Sequence, residues 1–143
     1  MDYDLLLLRL NAKWNWSLAF SWIPMTGDEK IPHTEIYQAA PFEEAIPQIA
    51  ELLEALFNSR SVYDVAEDGN VQVRSLDDCS LYYDGLEHLC TNEEGEFMLY
   101  FSHEDSVTVG GEKLLAEIHK VWPAHKNNFW VDGPTYKLLM KHP

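Results

Sequence analysis

What this 143-residue chain lacks most is positive charge: ten Lys and Arg stand against 24 Asp and Glu, a formal net charge of −14. The deficit is local. Residues 64–105 carry twelve acids and one base, Arg74, for a net of −11. Residues 1–63 sum to −5, and residues 106–143, with five Lys and three acids, to +2. Affinity for nucleic acid is built from Lys and Arg on phosphates, so the charge argues against DNA or RNA as a partner. An anionic membrane surface is disfavoured for the same reason.

Cysteine is scarce too. Cys79 and Cys90 are the only two, too few for a disulfide framework, and an intracellular chain keeps such thiols reduced. Long apolar runs are missing. Leu5–Leu8 is too short for a signal segment or a membrane span, and Asp2 and Asp4 precede it where a signal peptide needs positive charge. The expectation is a cytoplasmic protein. No internal repeat or low-complexity linker interrupts the chain, and its length suits one domain over residues 1–143.

Catalytic motifs are absent as well. There is no Gly-x-Ser-x-Gly elbow. Val109-Gly110-Gly111-Glu112 lacks the Gly-Lys-Ser/Thr of a phosphate-binding loop, and reads better as the start of a helix. The stretch from Asp64 to Gly69 imitates the opening of a calcium loop but has Ala66 and Ser75 where acidic ligands belong, so a hairpin turn is expected. Cys79, His88, Cys90 and His103 follow no standard zinc spacing, and His103-Glu104-Asp105 has no second histidine one helical turn away. Neither a metal nor a cofactor is expected.

What is present begins with a strict alternation. WNWSLAFSWI, Trp14 to Ile23, places Trp14, Trp16, Leu18, Phe20 and Trp22 on one side, the pattern of a half-buried strand whose aromatic face is core. Asp4–Leu10 is the expected partner strand, and a polar loop is expected from about Thr26 to Pro41. Phe42, Ile46, Ile49, Leu53 and Leu56 have helical spacing, and Pro47 favours a helix body over 47–58. Asp68-Gly69 predicts a hairpin between Val62–Glu67 and Asn70–Arg74. Apolar Phe97–Phe101 suits a central strand, with Val107–Val109 as its neighbour. Glu112–Trp122 reads as a helix, Phe129–Val131 as a last strand, and Pro134 as the start of a short C-terminal helix. Together these predict an α+β fold: a mostly antiparallel sheet of about five to six strands, with two longer helices and a short C-terminal one packed on one face.

The acidic stretch 77–96, DDCSLYYDGLEHLCTNEEGE, holds no Lys or Arg. Such a stretch can simply keep a surface solvated. With tyrosines among the acids it also suits a surface for a basic protein, because charge speeds association and tyrosine anchors the docked state. The expected contact residues are Asp77, Asp78, Tyr82, Tyr83, Asp84, Glu87, Glu93 and Glu94. Size, acidity and missing catalytic motifs point to a non-enzymatic inhibitor of immunity or antitoxin type that covers a basic site on a partner such as a nuclease toxin. Two alternatives stand beside it. One is a small metal- or carboxylate-dependent hydrolase using some of His88, His103, Glu104, Asp105 and His119. The other is an adaptor domain that self-associates through a sheet edge or its aromatic surface.

Overall fold

The computed structural model describes residues 3–14, 31–58 and 60–130. Among them the fold is α+β, built on one antiparallel sheet of six strands. In chain order the elements are α1 (Tyr3–Trp14), β1 (Thr34–Gln38), α2 (Ala39–Glu44), α3 (Ile46–Phe57), β2 (Ser61–Ala66), β3 (Val71–Ser75), β4 (His88–Thr91), β5 (Met98–Ser102), β6 (Ser106–Gly110), α4 (Glu112–Val121) and a 3₁₀ turn, Pro123–Asn127. The strands lie in the order β1-β6-β5-β4-β2-β3.

Local chemistry accounts for the elements that the sequence made plain. Gly69 adopts a positive φ of 90° in the turn that joins β2 to β3, and Asp68 Oδ1 accepts from the Asn70 amide at 3.0 Å. Strands β5 and β6 are buried along their whole length, as covered central strands must be. In α4, Leu114, Leu115 and Ile118 turn inward, with Glu112 in the first turn and Lys120 in the last, each suited to the helix dipole. Pro47 lies in the first turn of α3, where a missing N–H costs nothing, and the chain breaks at Ala45 between α2 and α3. Ahead of the expected 47–58 body, residues 39–44 thus form a separate short helix.

Two expected elements are corrected. Asp4–Leu10 is helical rather than a strand. Four consecutive leucines show no period, but Tyr3–Trp14 contains no β-branched residue and is rich in leucine, which favours helix. Leu6, Leu10 and Trp14, one turn apart, are its buried face. Trp14 therefore belongs to a helix, and Trp16, Leu18, Phe20 and Trp22 lie outside the described residues. Second, the polar loop to Pro41 contains β1, which pairs with β6 from Thr34↔Gly110 to Gln38↔Ser106. The acidic stretch, for which the sequence predicted no element, contains the strand β4, paired with β2 and β5. Of the last expected strand, Phe129 forms a single bridge to Tyr37. Val131 and the helix expected from Pro134 lie outside the described residues.

Helices cover both faces of the sheet, not one. Period-two alternation sends Val62, Cys90, Leu99, Phe101, Val107 and Val109 to the side of α2, α3 and α4. Val65, Leu89, Met98 and Tyr100 go to the other side, under α1. Two hydrogen bonds tie α1 to the β4–β5 turn: Trp14 Nε1 donates to the Gly95 carbonyl at 3.1 Å, and Arg9 Nη1 to that of Glu93 at 2.8 Å.

Candidate functional site

Strands β3 and β4 each pair antiparallel with β2, so they run parallel to one another. The chain must therefore travel the length of the sheet to join them, and it does so in residues 76–87, the length such a crossover needs. Cys79 and Leu81 anchor this crossover in the core on the face of α2–α4. Most of the acidic stretch is this crossover.

Beneath it lies a polar cluster. Asp64 on β2 is paired in register with Cys90 on β4, and both His88 and Cys90 share its face of the sheet. His88 is 3% exposed and stacks on Phe101, with ring centroids 4.9 Å apart. Its Nδ1 lies 2.7 Å from Asp64 Oδ1 and its Nε2 2.8 Å from the Tyr82 carbonyl. Both ring nitrogens face oxygen acceptors, an arrangement that favours the doubly protonated ring. Burial opposes that charge, but the bonds to Asp64 and Tyr82 and the charges of Asp64 and Asp84 outweigh it and raise the pKa of His88. Arg74 Nε pairs with the other Asp64 oxygen at 3.2 Å. Cys79 Sγ is 3.3 Å from Cys90 Sγ, and Cys90 Sγ is 4.0 Å from both Asp64 Oδ1 and His88 Nδ1. The bond between the thiols draws the pKa of Cys79 down, against burial and Asp64, and pushes that of Cys90 up.

The cluster pins the crossover from below, while its outer side faces solvent. Tyr82 is 50% exposed, Tyr83 41% and Leu86 42%, and Asp77, Asp78 and Asp84 are exposed along the same crossover. Tyr83 Oη donates to the Gly85 carbonyl at 3.1 Å. The expected contact residues do not converge on one point. Asp77 and Asp78 follow β3, and Glu93 and Glu94 follow β4; since these strands are parallel, the four sit at one end of the sheet. Tyr82, Tyr83 and Asp84 reach the other end, where β4 begins.

Glu87 is corrected from a surface contact to a buried one. It is 8% exposed, and its carboxylate accepts from Tyr100 Oη, from Ser102 Oγ at 3.0 Å, from the His103 amide at 3.1 Å and from His103 Nδ1. Burial opposes the charge, but these four bonds lower its pKa, and the same carboxylate raises that of His103. One residue before β4 the chain alternates inward, a placement that only the strand's register reveals.

The histidines of the hydrolase alternative fall in three separate places. His88 is with Asp64, and His103 is with Glu87. His119 is at the β1 edge, where its Nε2 lies 2.8 Å from Glu35 Oε2 and its ring stacks on His125 at 4.0 Å. Strand β1 is separated from β4 by β6 and β5. His88 has neither solvent access nor a free nitrogen for general-base work. One donor set does converge: Asp64, His88 and Cys90 each offer a ligand atom, all within 4.8 Å of one another. Sequence spacing missed this group because Asp64 joins it through strand pairing. The alternation His88-Leu89-Cys90 was the one local signal.

Comparison with protein-family models, with curated proteins and with solved structures finds no match to this chain.

Proposed function

We propose that this chain is a small acidic, non-enzymatic binding protein for a basic protein partner. Its most concrete form is an immunity- or antitoxin-type inhibitor that covers a basic site on a toxin such as a nuclease. One observation carries the reading: Tyr82, Tyr83 and Leu86 are exposed with Asp84 on an acidic crossover whose backbone is held from below by His88, and Asp77 and Asp78 are exposed at its far end. Half-exposed aromatic and apolar side chains are what interface anchors look like before docking. A loop already held in place pays little ordering entropy on binding. The surrounding negative charge adds a long-range field that draws in a basic partner and repels phosphate-rich ones. Among the described residues, no helix is long and apolar enough to cross a membrane.

Affinity capture of the tagged protein from its native cells, followed by kinetics on the captured partner, tests the reading. Converting Asp77, Asp78, Glu93 and Glu94 to Asn or Gln is expected to slow association about tenfold or more at low salt. Tyr82→Ala and Tyr83→Ala are expected to raise the dissociation rate, because an anchor acts only after docking. A partner that binds every one of these variants at wild-type rates, with no salt dependence, would sink the proposal. A mass that grows with concentration, and no captured partner, would favour self-association through the outer strand β3, where Val73 is exposed.

A further inference from the structure

The geometry points to a binding site for a thiophilic divalent cation, zinc by its donors, formed by Cys79, Cys90, His88 and Asp64. Two thiolates, an imidazole and a carboxylate are zinc ligands, whereas calcium and magnesium take oxygen. Three of the four sit on paired strands: His88 and Cys90 share one face of β4, and Asp64 lies directly across from Cys90. Cys79 arrives from the crossover, with its sulfur 3.3 Å from that of Cys90.

Three donors already converge: Asp64 Oδ1, His88 Nδ1 and Cys90 Sγ lie within 4.8 Å of one another. Cys79 stands outside that group, touching it through the Cys90 sulfur, and supplies a fourth ligand by turning inward. Ligands bound to zinc at about 2.0–2.3 Å stand about 3.3–3.8 Å from one another in a tetrahedron. The separations found are 3.3 Å between the sulfurs, 4.0 Å from Cys90 to each of His88 Nδ1 and Asp64 Oδ1, and 2.7 Å between the last two. Shifts of less than about 1 Å bring these four separations into the range, and Cys79 has to swing further to close on His88 and Asp64. On His88 the ion takes the place of the Nδ1 proton.

The outer shell is already built. His88 Nε2 donates to the Tyr82 carbonyl at 2.8 Å, which orients the ring with Nδ1 toward the other donors. A second-shell carbonyl of this kind is the usual companion of a metal-bound histidine. Arg74 holds the outer oxygen of Asp64 at 3.2 Å and leaves Oδ1 for the site. Charge closes as well. Two thiolates and a carboxylate bring three negative charges; a divalent ion and the partly exposed Arg74 bring three positive ones, so the assembly is neutral. An ion here ties the crossover to β2 and β4, whether or not a partner docks above it.

The test uses the full chain, fully reduced and freed of metal by chelator. Cobalt(II) is expected to bind in one equivalent, with the d–d bands of a tetrahedral site and thiolate-to-cobalt charge-transfer absorption, and zinc is expected to displace it. Zinc should also raise the Tm, because it binds the folded site. Cys79→Ser should roughly halve the charge-transfer intensity and weaken zinc binding about tenfold or more. Asp64→Asn should weaken binding while leaving the thiolate absorption in place. Circular dichroism confirms that each variant is folded before titration; should Asp64→Asn unfold, wild type and Cys79→Ser still decide the matter. No charge-transfer band in the wild type would overturn the site. So would cobalt or zinc binding that is unchanged in a folded Cys79→Ser, Cys90→Ser double variant, which would place the ion elsewhere.

Discussion

Replacing Leu6, Leu8 and Leu10 one at a time by Ala separates the two conformations open to Asp4–Leu10. A strand would align all three on one face. The helix turns Leu8 outward, 66% exposed, while Leu6 and Leu10 are fully buried against the sheet. Leu10 belongs to the cluster of Leu6, Trp14, Val65, Leu89, Met98 and Tyr100. Truncating a fully buried leucine removes three carbons at about 0.8 kcal/mol each and leaves a cavity, for a cost of about 2–5 kcal/mol. Truncating Leu8 loses little burial, and alanine is the better helix former, so its effect should stay within about 0.5 kcal/mol of zero. Urea denaturation followed by tryptophan fluorescence reads the difference. With a slope of about 1–3 kcal/mol per molar, the midpoint should fall by about 1 M or more for Leu6→Ala and Leu10→Ala, and hardly move for Leu8→Ala. Equal losses at all three positions would refute the helix and restore the strand.

The remaining predictions concern the start of β4 and the seat of α1. The Glu87–His103 pair should make stability depend on pH at both ends. The depressed pKa of Glu87 contributes stability that is full above its ordinary 4.5 and is lost as pH falls through the folded value. The raised pKa of His103 contributes stability that is full below its ordinary 6.5 and is lost as pH rises through the folded value. Glu87→Gln should therefore flatten the stability profile on both sides of that window, and superimposable profiles would disprove the pairing. Gly110→Ala should lower stability by about 1–3 kcal/mol. A Cβ there would stand 2.9 Å from both Met98 Cγ and Trp14 Cζ3, and an unchanged Tm by calorimetry would mean that Trp14 does not seat on β6.

By itself, the sequence determined the features whose causes are local. A two-residue Asp-Gly turn specifies the β2–β3 hairpin, uninterrupted apolar residues at Phe97–Phe101 specify a covered strand, and helical spacing specifies α4, because each is a preference of neighbouring residues. The charge asymmetry is likewise a property of composition. Tertiary structure decided what depends on distant partners. Tyr3–Trp14 is one helix because its Leu6–Leu10–Trp14 face has Leu89, Met98 and Tyr100 to cover. Thr34–Gln38 is a strand because β6 offers it hydrogen bonds, and polar edge positions such as Glu35 carry no apolar alternation to announce it. Short β4 was hidden by the acids around it, and with it went the fate of Glu87, which looks like a surface charge until the register turns it toward Tyr100 and Ser102. The meeting of Asp64, Cys79, His88 and Cys90 was the least legible feature of all. Separations of 24 residues between Asp64 and His88 and 11 between the cysteines encode no spacing rule; the pairing of β2 with β4 brings Asp64, His88 and Cys90 together, and the crossover laid over them brings Cys79 against Cys90.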